Sequence, residues 1–190
     1  MVRLFIVILL VLLPSFAYAS PDNSVFGIKI GEPFSIPDCE PGDVIASKKL
    51  CAITSKSIKT AWGTTDIEIS FPDKDKPDFL KALTLSVSIL DGKVESVSFA
   101  TNGNEYQNEV LKTLVAKYGK PKKLKKISVR NSFNTTYIKY SAVWSFAAFT
   151  VTFEGIDDEL DWGNVEVSSN KYRKLLKEWE KKSDESKTKL

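Results

Sequence analysis

The chain contains no histidine among its 190 residues. Histidine is the side chain whose ordinary pKa lies near neutrality, so its absence excludes Ser-His-Asp and Cys-His nucleophilic catalysis and every imidazole-ligated metal site. Neither G-x-G-x-x-G nor G-x-x-x-x-G-K-[ST] occurs, which removes the usual glycine-rich cradle for a nucleotide phosphate. Nine glycines and eight prolines are too few for a collagenous or linker-like chain. No apolar run reaches the roughly 20 residues that a membrane-spanning helix needs. Charge of one sign is also lacking, because 27 Lys+Arg oppose 24 Asp+Glu. The overall positive field of a nucleic-acid binder is therefore missing.

What is present begins with an export signal. Met1-Val2-Arg3 supplies one positive charge, Leu4 to Leu13 is an unbroken apolar run, and Ala17-Tyr18-Ala19 has the small-x-small form of a cleavage site. These features predict a signal peptide over 1–19, cleaved between Ala19 and Ser20. The mature product is expected to be a soluble periplasmic or secreted protein with no permanent membrane anchor. Cys39 and Cys51, twelve positions apart, then meet an oxidising compartment and read as one structural disulfide. A redox pair needs the closer C-x-x-C spacing, and a metal site needs more ligands than two thiols. Neither a cofactor nor a metal is expected.

The patterning predicts an α+β fold, an antiparallel β-sheet built from hairpins with one central helix and one C-terminal amphipathic helix packed against it. A single domain should cover 20–182, followed by a charged flexible tail at 183–190. Val25 to Gly31 reads as a brief strand, and Pro33, Pro37 and Pro41 keep the next stretch irregular. Ile58–Trp62 and Thr65–Phe71 read as strands about Gly63-Thr64. Leu83 to Ile89 alternates apolar and polar residues and pairs with Val97 and Phe99. A three-residue loop, Leu90 to Gly92, would keep all the odd-numbered apolar residues on one face.

A helix is predicted from Asn104, with Gln107 closing a capping box, and Gly119 and Pro121 stop it. Thr135 to Phe153 is strand territory, broken near Ala147-Ala148 where the apolar parity changes. After a short strand at Val165–Val167, Tyr172, Leu175, Leu176 and Trp179 recur at the spacing of an amphipathic helix begun by Asn170. Leu85, Val87, Val97, Phe99, Leu111, Leu114 and Trp144 should share one core.

Two charged segments are candidate sites. Lys120, Lys122, Lys123, Lys125 and Lys126 follow the helix stop, with Lys117 just before it, and can dock an acidic protein, a phosphorylated glycolipid or a nucleic acid, or else serve the helix C-terminus, protect an edge strand or face the acidic segment 154–161. Glu154, Asp157, Asp158, Glu159 and Asp161 crowd eight positions, either as a solvated loop or as a source of two catalytic carboxylates. Trp162 and Ser168 stand where a calcium-binding EF-hand loop needs Gly and Glu. Trp62, Trp144 and Trp162 read as core residues before carbohydrate platforms.

The ordered set Phe26-Gly27-Ile28-x-Ile30-Gly31-x-Pro33, Cys39 and Cys51, Asp91-Gly92-Lys93, Thr101-x-Gly103, Gln107-x-x-Val110-Leu111-x-x-Leu114, Lys117-Tyr118-Gly119-Lys120-Pro121 and Ala142-x-Trp144 resembles a family of small exported bacterial proteins to which no activity is assigned. The resemblance spans most of the mature chain and implies a bacterial, exported, disulfide-containing α+β domain. It carries no catalytic residues.

These features lead to a non-enzymatic protein-binding domain, of the inhibitor, immunity or envelope-accessory kind, with a protein partner in the cell envelope or outside and not a nucleic acid. The alternatives are a carboxylate-dependent hydrolase of cell-envelope glycans, which needs two carboxylates facing a cleft, and a binder of a small lipid or apolar ligand between sheet and helix, which needs an internal cavity.

Overall fold

A computed structural model describes residues 21–40 and 48–187. The signal peptide, its cleavage site, Pro41 and the last three residues lie outside the described residues. A small hairpin, β1 (Ser24–Val25) and β2 (Ile28–Lys29), precedes β3 (Cys51–Lys59), β4 (Thr65–Ser70), β5 (Thr84–Leu90), β6 (Lys93–Thr101) and helix α1 (Gly103–Tyr118). Then come β7 (Lys123–Arg130), β8 (Thr136–Ser145), β9 (Phe149–Glu154), β10 (Gly163–Ser169) and helix α2 (Asn170–Lys187). Strands β3 to β10 form one antiparallel sheet in the order β3-β4-β5-β6-β10-β9-β8-β7. The chain thus runs twice through four strands and a helix, and the halves join where β6 pairs with β10. This is the expected α+β architecture.

Strand alternation gives the sheet two chemically different faces. Ile69, Leu85, Val87, Val97, Val151 and Val167 are fully buried on one of them. The apolar stripe of α1, Val110, Leu114 and Tyr118, covers its centre, and Phe26 from the β1–β2 hairpin packs on Phe71 and Phe99 with ring centroids 5.0 and 5.3 Å apart. The opposite face carries Ser86, Ser88, Ser96, Ser98, Glu166 and Ser168 by the same registers. Helix α2 lies there: Ser88 donates to the Tyr172 hydroxyl at 3.3 Å, and Trp179 meets Trp62 edge-on at 5.1 Å. Cys39 and Cys51 are joined, with Cα atoms 4.8 Å apart, and a loop of this length stabilises the fold by about 3 kcal/mol on chain entropy.

Several local expectations are corrected. The stretch Val25 to Gly31 is not one strand. Phe26 and Gly27 have φ of +49° and +83°, so the chain reverses between β1 and β2. The β5–β6 loop has two residues, Asp91 and Gly92, with φ of +53° and +74°. Ser88 pairs with Ser96 while Ile89 pairs with Val94, so Glu95 is an extra residue and this bulge, not a longer loop, restores the apolar parity. Glu95 is buried and accepts a hydrogen bond from Ser169, whose hydroxyl also receives the Tyr172 N–H at 2.9 Å and caps α2. The tail is helical through Lys187, because no glycine or proline interrupts 170–187 and Lys181 pairs with Glu185 at 3.9 Å.

Gln107 closes no capping box at the α1 N-terminus. Its side chain is 3% exposed. Its Nε2 donates to Ile138 O at 2.8 Å and to Asn104 Oδ1 at 3.1 Å, while Oε1 accepts the Tyr140 N–H at 3.1 Å. Pairing of β8 with β9 starts only at Ser141, so this amide stands in for the missing strand. Gln107→Leu, which keeps the volume and removes both ends of the clamp, should cost about 1–2 kcal/mol because two part-buried backbone groups lose partners. Urea unfolding measures this, and an unchanged midpoint would show that the clamp contributes nothing.

Candidate functional site

The lysine segment, read from sequence as a charged stretch after the helix stop, is the edge strand β7. It pairs only with β8, from Lys123↔Val143 to Arg130↔Thr136, whereas β8 meets β9 only over Ser141 to Ser145. The outer half of the β7–β8 hairpin therefore projects past the sheet. Every lysine of the segment is exposed, as expected. Strand alternation divides them, however, with Lys123 and Lys125 on the serine face and Lys126 on the other. The Lys126 ammonium lies 5.4 Å from the Tyr140 ring centroid. Lys120 precedes the strand, and Lys122 and Lys123 border a cleft against α2.

The same hairpin concentrates exposed apolar surface, which sequence reasoning did not find. Leu124, Ile127, Phe133 and Ile138 are four of the seven large hydrophobic side chains exposed among the described residues. Phe133 is 87% exposed at the tip. The turn beneath it is tightly bonded: Asn131 Oδ1 accepts the N–H groups of Phe133 at 3.1 Å and Thr135 at 2.9 Å. Asn134, with φ of +61°, accepts from Arg130 at 3.2 Å. The signal in the sequence was the Asn-rich tip around a lone aromatic, 131–134, a pattern that favours side-chain-bonded turns.

The acidic segment sits at the other end of the sheet from the cleft, and its ion pairs are with other lysines than the candidate ones. Glu154 accepts from Ser141 at 2.7 Å and pairs with Lys139 at 2.9 Å. Asp161 pairs with Lys81 at 2.5 Å, and this hydrogen bond holds its carboxyl below the usual range. Asp157, Asp158 and Glu159 are exposed in a turn closed by the Asp157 N–H to Trp162 O at 2.7 Å and the Trp162 N–H to Glu159 O at 3.1 Å. A glycosidase acid must hold its proton near neutrality, and the lysine beside Asp161 drives that carboxyl the other way. Among the described residues no three Asp, Glu, Cys or His side chains gather as a metal site.

An apolar pocket of about 180 Å³ lies between α1, the β1–β2 hairpin and the sheet, bounded by Phe26, Phe99, Val110, Leu114 and Val165. A cavity near this size takes one benzene ring, well below the several hundred Å³ of a lipid or drug-sized site. Lys117 closes its rim, donating to Ser24 O and pairing with Asp22 at 3.2 Å. The Asp22 carboxyl is lowered by the Ser24 N–H, then by the Ser24 hydroxyl and Lys117. Burial, with Asp22 nearby, pushes the Tyr118 hydroxyl up to about 12, so it remains neutral. Trp144 belongs to the core as expected and Trp62 lies half-buried against α2, but Trp162 is 41% exposed with Lys81 over its ring at 5.8 Å.

Comparison with protein-family models, with curated proteins and with solved structures finds no match to this chain.

Proposed function

We propose that the protein is a non-enzymatic exported recognition domain whose docking element is the β7–β8 hairpin, and that its partner is an acidic protein surface with an apolar recess. The observation that carries this reading is Phe133, held outward by a hydrogen-bonded turn that Arg130 joins, at the tip of a hairpin whose first strand also carries Lys125 and Lys126. Binding energy concentrates in aromatic and arginine anchors that lose little freedom on docking, and surrounding cations speed encounter with an acidic surface. A nucleic acid fits less well, since the net charge is only +3 and the hairpin sets exposed Ile127, Phe133 and Ile138 among its cations. The disulfide supports export, because such a bond persists in the periplasm or outside the cell.

The test is capture of partners from an envelope extract by the wild type, by Phe133→Ala and by Lys125→Glu/Lys126→Glu. We expect a specific protein to be retained by the wild type, to fall by roughly tenfold or more with either hairpin variant, and to release as salt rises. Ile58→Ala, which removes an exposed apolar side chain of β3 on the far edge of the sheet, should leave capture unchanged. Full retention by both hairpin variants would refute the docking role.

A further inference from the structure

We propose a second binding site, beyond the docking hairpin: the cleft between α2 and the base of β7 and β8 takes a compact phosphorylated ligand. Helix α2 carries two stripes. Tyr172, Leu175, Leu176 and Trp179 form the apolar one, whereas Asn170, Arg173, Lys174 and Lys177 recur at i, i+3, i+4 and i+7 on the neighbouring stripe and border the cleft. Lys122 and Lys123 face them from the start of β7 across an open volume of about 580 Å³. Five cations from two distant chain segments therefore converge.

Among the described residues no carboxylate lines this cleft. Of its five cations only Lys174 has an acidic partner among the described residues, Glu178 at 3.8 Å on the same helix. Lys81, Lys139 and Lys171 elsewhere each pair with an acid from another part of the chain. Unpaired like charges brought together by folding repel, and a bound anion reverses that term. The wall is also fixed in place. Asn170 accepts from Thr150 at 3.1 Å and donates to Phe146 O at 3.1 Å and Ala147 O at 2.9 Å, which ties the start of α2 to the β8–β9 turn.

Charge density selects the ligand class. A phosphomonoester brings a charge of about −1.5 to −2 and three acceptor oxygens on one centre, more than the single charge and two oxygens of a carboxylate. The cleft presents donors to it, the five cations and the Ser145 hydroxyl, and Val143 and Phe146 leave an apolar area for the uncharged body of the ligand. The volume lies within the range of ligand sites and suits a phosphorylated sugar, free or as the headgroup of a lipid.

Isothermal titration of the full chain with inorganic pyrophosphate tests the site. We expect saturable binding that weakens with salt and falls roughly tenfold in Arg173→Gln/Lys177→Gln. Lys181→Gln/Lys182→Gln removes the same charge farther along α2 and should stay within about twofold. Phe133→Ala, which removes no charge and lies at the far end of the hairpin, should retain pyrophosphate binding, so failure of the hairpin reading and failure of this one are separable. Phosphatidylcholine vesicles containing phosphatidate distinguish the source: vesicle binding with the same sensitivity to Arg173 and Lys177 assigns a lipid headgroup, and pyrophosphate binding alone assigns a free ligand. No saturable binding at about 10 mM, or an equal loss in the Lys181/Lys182 variant, would overturn the proposal.

Discussion

Trp144→Ala should destabilise the protein by about 3–5 kcal/mol, enough to approach the whole stability of many single domains. The indole is 2% exposed and packs against Tyr118 with ring centroids 6.3 Å apart. Its Nε1 also donates to Gly119 O at 2.7 Å, so it fastens the end of α1 to β8. Truncation leaves a cavity in the middle of the apolar layer and an unsatisfied carbonyl beside the helix stop. Trp144→Phe restores most of the packing without the hydrogen bond, and should recover about half of the loss. Thermal and urea unfolding followed by far-ultraviolet circular dichroism decide the matter. A shift below about 1 kcal/mol for the alanine variant would mean that the site collapses around the void and that α1 is held from elsewhere.

Gly103→Ala should be comparably damaging for a different reason. A Cβ there would sit 2.3 Å from Leu160 O and 2.5 Å from Trp162 N, both backbone atoms, and φ is already +30°. The clash cannot be relieved by turning a side chain, so the first turn of α1 must leave the 155–162 loop, breaking the Asn104 N–H bond to Leu160 O at 2.7 Å. We expect a loss of about 3 kcal/mol or more. Gly92→Ala provides the comparison, since φ is +74° but nothing lies within 4 Å of the added carbon. That variant should cost only about 1 kcal/mol, the left-handed backbone penalty alone. Equal effects at the two positions would show that dihedral strain, not close approach, governs Gly103.

The same contrast runs through the molecule. Periodicity by itself determined the strands with alternating residues at 65–71 and 83–89, each within one residue of the observed bounds, the stop of α1 at Gly119, the parity change at Ala147-Ala148 and the apolar stripe of α2, because each depends on neighbours a few positions away. The spacing of two cysteines behind an expected export signal likewise implied their bond. Of the seven expected core residues, only Leu111 is half-buried instead of buried.

Tertiary structure decided what depends on contacts between distant segments. Gln107 looks like a capping residue until β8 is placed beside it, where two backbone groups have no strand to meet. The lysines of β7 have weak strand propensity, and only pairing with β8 makes them an edge strand. Their charge was legible, but which of them face α2 was not: the register sends Lys123 and Lys126 to opposite faces. Arg173, Lys174 and Lys177 read alone as the solvated side of an amphipathic helix. They become one wall of a cleft because α2 packs on the serine face of the sheet, a choice set by Tyr172, Trp179, Ser88 and Trp62 across more than eighty residues of chain.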